Sequence, residues 1–226
     1  MNVIAFSLWG DSPRYNLGAL QNASLAKIVY PDWVCRFYVG VDTPMYIREL
    51  LSDFDNTEIV ETGEDGSKAY GMFWRFRAAA DPKVTNLIIR DCDSRLWFRE
   101  SKAVEQWLAS DKDFHIMRDH EYHNAVILGG MWGVRNGALL GIEGMLEMYG
   151  AGDYWQADQE FLRDVVYDTA APNAFVHDEF FNLQTGHKFP TKRNPKHFVG
   201  QAYAGCGRIL DAEEYFQEFI KGEMNA

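Results

Sequence analysis

Short apolar or β-branched runs alternate with longer segments of helical period from the second residue onward, and that alternation constrains the fold more than any other feature. The runs are 2–9 (NVIAFSLW), 34–41 (VCRFYVGV), 57–62 (TEIVET), 86–91 (NLIIRD), 114–119 (FHIMRD) and 125–134 (AVILGGMWGV). Helical spacing fits 15–30, where Leu17, Leu20, Leu25 and Ile28 recur near every third or fourth place. It also fits 45–54, 72–80, 100–110, 136–149 and 156–168. Strand and helix in turn predict an α/β fold with a central, mainly parallel sheet flanked by helices. No repeat, low-complexity stretch or Pro/Gly linker interrupts the pattern, so one domain over 1–226 is expected.

The charge narrows the partners. A formal net charge of −11 with no long Lys/Arg run excludes the basic stripe of a duplex nucleic-acid binder. It does not exclude a phosphate-bearing ligand, because a metal and a few arginines reverse the field locally. Seven Trp and eleven Tyr exceed what a core of this size needs, which predicts aromatic side chains at a site or partner surface. Cys35, Cys92 and Cys206 are dispersed and odd in number, as free thiols of a reducing compartment would be; a cytoplasmic protein is expected. The N-terminal residues read as a first strand rather than a leader. No run approaches the roughly 18 apolar residues of a membrane helix.

In open α/β sheets ligands sit beyond the carboxyl ends of the strands. Three Asp-x-Asp pairs occur, at Asp53/Asp55, Asp91/Asp93 and Asp111/Asp113. The first and third follow helical segments and read as solvated loop acids. Asp91 and Asp93 directly follow the apolar run Leu87-Ile88-Ile89. Alternation places both on one side of an extended chain, where two carboxylates suit Mn²⁺ or Mg²⁺. A strand-end turn with two solvated acids is the other reading of the same residues.

Further candidates carry similar pairs of readings. Gly129 and Gly130 either let a ligand approach the backbone or form a β-bulge. Trp132 beside them reads as core. Asp119 follows a short strand and either binds ligand hydroxyls or closes a turn. Asp158 and Gln159 stand where a helix starts, so Asp158 suits a cap. His120 and His123 are spaced i, i+3 as a zinc pair would be, yet no HExxH or Cys partner accompanies them. Ser7 ends the first strand run, and Tyr15 opens the first helix or stacks on a ligand.

The stretch FWRFRAAADPKVTNLIIRDCDSRL resembles the nucleotide-sugar-dependent glycosyltransferases of the GT-A fold, in which an arginine-bearing helix precedes a strand ending in a DxD motif. GGMWGVR (129–135) is similar to the small-residue strand that borders the donor sugar. ADQEFL (157–162) and KHFVG (196–200) resemble the Asp-Gln helix start and the His-x-x-Gly element of retaining members, the glycogenin-like and lipopolysaccharide galactosyltransferase-like enzymes. Order and spacing match over about 1–205, closest in look to a bacterial or phage-type sub-group. Arg90 departs from the usual apolar residue before DxD, and GQAYAG stands where Lys-Pro-Trp follows His-x-x-Gly.

The resemblance implies a Rossmann-like GT-A fold and transfer of a sugar, with retention, from a UDP- or GDP-sugar to a glycan, lipid-linked or protein acceptor. It implies Asp91, Asp93 and His197 as ligands of Mn²⁺ or Mg²⁺, and Arg75, preferred over Arg77, on the donor diphosphate. It places Ser7 and Tyr15 near the nucleotide base, Gly129 and Gly130 beside the sugar, and Asp158 and Gln159 against the donor sugar or at the reacting face; Asp119 would bind sugar hydroxyls. A nucleotide-sugar hydrolase, a nucleotidyltransferase and a non-catalytic carbohydrate-binding module are the competing expectations. A nucleotidyltransferase would show a Gly-rich N-terminal loop with a basic residue, and SLWGDSPR offers one Gly.

Overall fold

The structure is a computed structural model that describes residues 1–66, 69–150, 154, 156–181 and 186–210. Its centre is a seven-stranded sheet. The strands are β1 (Asn2–Leu8), β2 (Trp33–Val39), β3 (Thr57–Glu61), β4 (Asn86–Ile89), β5 (Phe114–Arg118), β6 (Trp132–Arg135) and β7 (Ala174–Asp178). They lie in the order β3-β2-β1-β4-β6-β5-β7. All neighbours are parallel except β6, which runs antiparallel to β4 and β5. The expected mainly parallel α/β architecture is therefore present.

The pleat divides the core. Val3, Ala5, Leu87 and Ile89 face one side, packed with Phe73, Trp74, Phe76 and Phe161. Ile4, Phe6, Leu8 and Ile88 face the other, packed with helices α1 (Pro13–Val29), α2 (Met45–Ser52) and α3 (Phe98–Leu108). Strands buried on both faces read as the near-continuous apolar runs of β1 and β4.

Several elements differ from the sequence expectation. In α1 the buried face is Asn16, Gly18, Ala19, Asn22, Ala23, Ala26 and Val29, while Leu17 and Ile28 are exposed. Small residues face inward because the helix lies so close to the chain after β4 that a Cβ on Gly18 would overlap the Cys92 carbonyl oxygen. The predicted helix 72–80 is a 3-10 segment, Ala69–Ala80. The Arg75 amide donates to Ser7 Oγ at 3.1 Å, a bond that an α-helical ladder would have claimed. The predicted strand 125–134 shortens to β6, and Gly129 and Gly130 form the turn before it, neither a strand nor a bulge. The predicted helix 136–149 shortens to α4 (Ile142–Tyr149). The helix expected over 156–168 is α5 (Ala157–Phe161), a π turn at Leu162–Val166 and α6 (Tyr167–Ala170). Strand β7 had no counterpart in the predicted elements.

Arg90, the odd residue at the end of β4, is 1 % exposed. Its Nε donates to Glu100 Oε1 at 3.1 Å, and Tyr30 Oη donates to the same oxygen at 3.0 Å. That network ties the exit of β4 to α3 and to the end of α1.

Candidate active site

The sheet delivers its first candidate, Asp91, two residues past the end of β4. Its side chain is 41 % exposed and is ion-paired to the Arg75 guanidinium. The other arm of Arg75 donates to Asp158 Oδ2 at 2.9 Å. Arg75 Nε is buried and has no hydrogen-bond partner among the described residues. Arg77 instead pairs with Glu64 at 3.1 Å, away from this cluster. Gly129 and Gly130 close the cluster from the loop before β6. A Cβ on Gly129 would overlap Asp158 Oδ2, and one on Gly130 would overlap Asp91 Oδ2. Five candidates, from β4, the 3-10 segment, α5 and one loop, are thus in mutual contact.

Asp93 is buried and paired with Arg14, whose Nε and Nη2 lie 3.0 and 2.9 Å from Oδ2. Burial lifts the Asp93 and Asp158 carboxyls above the usual range; Arg14 and Arg75 respectively oppose the lift, and the Asp91 charge adds to both. The charge of Asp91 thus reaches both buried carboxyls, and Arg95 joins Arg14 in opposing the lift at Asp93. Tyr15 sits against the same group, its phenol raised by burial and by the Asp93 charge. Its ring stacks with Trp9 at 6.5 Å and 14°, and Trp9 meets Trp74 edge-on.

The remaining candidates have other partners. The Ser7 hydroxyl accepts from the Arg75 amide. Asp119 is fully buried, its oxygens held by Arg99 at 2.8 Å each and by the Val199 amide at 3.0 Å. The structure thus occupies Asp119 with protein donors. Nε2 of His197 is 2.8 Å from Tyr203 Oη, and its ring packs on Trp97 at 4.0 Å. The Tyr203 amide donates to the Asp93 carbonyl at 2.9 Å, so the His197 segment is tied to the strand-end pair. Gln159 lies in the first turn of α5 beside Asp158. Among the described residues no three His, Cys, Asp or Glu side chains gather as a metal cage.

Arg14 and Tyr203 did not emerge from the sequence as site residues. Arg14 carried a signal: a cation in the first turn of a helix opposes the macrodipole and needs a carboxylate partner nearby. Tyr203 carried none.

No protein-family model matches this sequence, and no curated protein matches it. Solved structures do resemble its fold. A glycosyltransferase involved in glycosylation of the major capsid of PBCV-1 is 14 % identical, with a TM-score of 0.50 over 78 % of this chain and 80 % of that one. A mannosyltransferase from Pyrobaculum calidifontis, in complex with GDP-Man and Mn²⁺, is 12 % identical with a TM-score of 0.52; 78 % of this chain spans 54 % of that one. 4-Diphosphocytidyl-2C-methyl-D-erythritol synthase from Anaerococcus prevotii is 13 % identical, with a TM-score of 0.50 over 84 % and 91 % of the two chains. The chain carries a mixed α/β, GT-A-like fold, the scaffold on which these glycosyltransferases are built.

Proposed function

We propose that this chain is a glycosyltransferase that moves a sugar from a nucleotide diphosphate donor to an acceptor hydroxyl, with a divalent cation and with retention of configuration. The observation that carries the reading is the Arg75 clamp: one guanidinium joins Asp91 at the carboxyl end of β4 to Asp158, with Gly129 and Gly130 packed on both carboxylates.

The donor set fits a hard cation. Asp91 and Asp93 offer carboxylate oxygens, and Mg²⁺ or Mn²⁺ commonly takes one or two protein carboxylates with water and phosphate oxygens completing the shell. His197 would complete the set on giving up its Tyr203 hydroxyl partner. A bound cation would neutralise the diphosphate and assist its departure.

The chain's own groups position and stabilise. Arg75 would pair with the diphosphate through the arm that now holds the part-exposed Asp91, while Asp158 fixes its other arm. Gly129 and Gly130 bring backbone close to the donor sugar. Asp158 and Gln159 lie at the reacting face, and Trp9 with Tyr15 flanks the base. No nucleophile is required if the departing phosphate oxygen takes the acceptor proton; catalysis then rests on orientation and electrostatics.

Calorimetric titration of GDP and UDP tests this reading, with Mn²⁺ and after EDTA, on the native chain and on Asp91→Asn. Binding of one nucleotide that weakens at least tenfold on chelation and in Asp91→Asn is expected. No binding of either by folded protein overturns the reading. Release of free sugar without an acceptor would mark a hydrolase, and pyrophosphate from a nucleoside triphosphate would mark a nucleotidyltransferase.

A further inference from the structure

Three segments meet beyond the carboxyl ends of β5 and β7, outside the cluster around Arg75. The loop after β5 brings His120, Tyr122 and His123, the chain after β7 brings Phe180, and a later stretch brings Arg193 and Phe198. Phe198 is buried beneath, its ring centroid 4.2 Å from His120 and 5.4 Å from His123. His120 lies 5.3 Å from Tyr122 and 6.3 Å from Phe180. The rings of Tyr122 and Phe180 remain 54 % and 43 % exposed, and the Arg193 guanidinium lies 4.8 Å over Phe180.

We propose that this shelf of His120, Tyr122 and Phe180 binds the sugar ring of a neutral saccharide acceptor. The inference rests on the transferase reading above and narrows its acceptor to a glycan.

The chemistry selects the ligand. A pyranose has an apolar C–H face and a rim of hydroxyls. The rings of Tyr122 and Phe180, 5.3 and 6.3 Å from His120 and inclined to it by 54° and 50°, flank a space of one ring's breadth and offer π surface to the C–H face. Nδ1 of His120 accepts from the Tyr122 amide, which leaves its Nε2 and the exposed Glu121 and Asn124 of the same loop to offer hydrogen bonds to hydroxyls. Both signs of charge surround the rings, so neither a polyanion nor an acidic membrane is favoured.

The shelf is rigid and joined to the strand-end carboxylates. Asp119, at its base, is clamped by Arg99 and by the Val199 amide, and its own amide donates to His123 Nδ1 at 3.1 Å. Phe198 follows His197, which holds Tyr203, whose amide holds the Asp93 carbonyl. Residues 198–203 thus link the shelf that would hold the acceptor to the pair that would hold the donor.

Saturation-transfer NMR with a panel of neutral methyl glycosides and disaccharides at millimolar concentration tests the proposal. Transfer to at least one sugar is expected, reduced at least fivefold in Tyr122→Ala and in Phe180→Ala and retained in Tyr122→Phe. No transfer to any sugar, or equal transfer to the alanine variants, overturns it. Because Tyr122 is exposed, Tyr122→Ala should melt with the native chain, and it should bind GDP or UDP with Mn²⁺ as the native chain does. Saccharide contact without nucleotide binding would overturn the transferase reading and the acceptor role together while leaving a sugar site; nucleotide binding without saccharide contact would overturn the shelf alone.

Discussion

Arg75 and Asp158, 83 residues apart in sequence, meet at 2.9 Å with only 6 % of each side chain exposed. Removing the cation leaves a buried carboxylate without its counter-charge, which costs about 3–5 kcal/mol. In a chain of this length Arg75→Gln should lower the melting temperature by roughly 10 °C. Arg75→Lys keeps the charge but loses the fork and should recover part of the loss. A fall below about 2 °C for Arg75→Gln would show that Asp158 is not held by this pair.

Gly129 and Gly130 should fail in different ways. A methyl on Gly129 runs into Asp158, which is buried and cannot retreat, so Gly129→Ala should cost about 1–3 kcal/mol by overpacking. A methyl on Gly130 runs into the tip of Asp91, which is 41 % exposed and can swing outward. Gly130→Ala should therefore stay within about 1 kcal/mol of native stability by urea titration. It should still lose at least tenfold in metal-dependent nucleotide affinity by calorimetry. Native affinity in Gly130→Ala would remove Asp91 from the ligand set.

Gly18 lets α1 lie directly on the chain after β4. A Cβ there meets backbone, the Cys92 carbonyl, which has no side chain to move aside. Gly18→Ala should destabilise by about 3 kcal/mol or more despite alanine's better helix propensity. The helix also carries Arg14 and Tyr15, so nucleotide binding should weaken in the same variant. Unchanged urea midpoints would contradict the close approach.

His115 and His177 form a buried chain, Nε2 to Nδ1 at 2.8 Å, ending on Gln106 Oε1 at 2.9 Å. Burial holds His115 well below its ordinary value and lowers His177 to about 3. Unfolded histidines bind protons from near pH 6.5 downward, so the unfolded chain carries more protons between 6.5 and about 3. Stability from this pair is complete above 6.5 and is lost as pH falls, by up to about 1.4 kcal/mol per pH unit per histidine. The buried acids Asp93, Glu100 and Asp158 are shifted upward and act in the opposite sense. Comparison with a His115→Gln, His177→Asn double variant isolates the histidines: its urea midpoint should change less between pH 7 and 5 than that of the native chain.

Much of the scaffold was legible because β1, β2 and β4 are buried on both faces, and such strands must read as apolar runs. The Asp91/Asp93 pair was legible for the same reason, since only that pair follows such a run. The wide exposed stripe of α1 misled because Leu17 and Ile28 obey helical spacing on the outer side, while the packing face uses Gly18, Ala19 and Ala23. β7 was hidden by its length and by two polar residues, His177 and Asp178, that are satisfied across the sheet by Gln106 and Arg118.

The sequence by itself determined the strand–helix alternation, the mainly parallel sheet and the place of the strand-end acids, because these depend on local periodicity and on how far each strand is buried. The tertiary structure alone decided that Arg75 faces Asp91 and Asp158, that Arg14 faces Asp93, and that His197 pairs with Tyr203. Those choices join residues from 6 to 83 positions apart. They are made by the desolvation of charges once the helices close on the sheet, an energy that no local pattern of residues records.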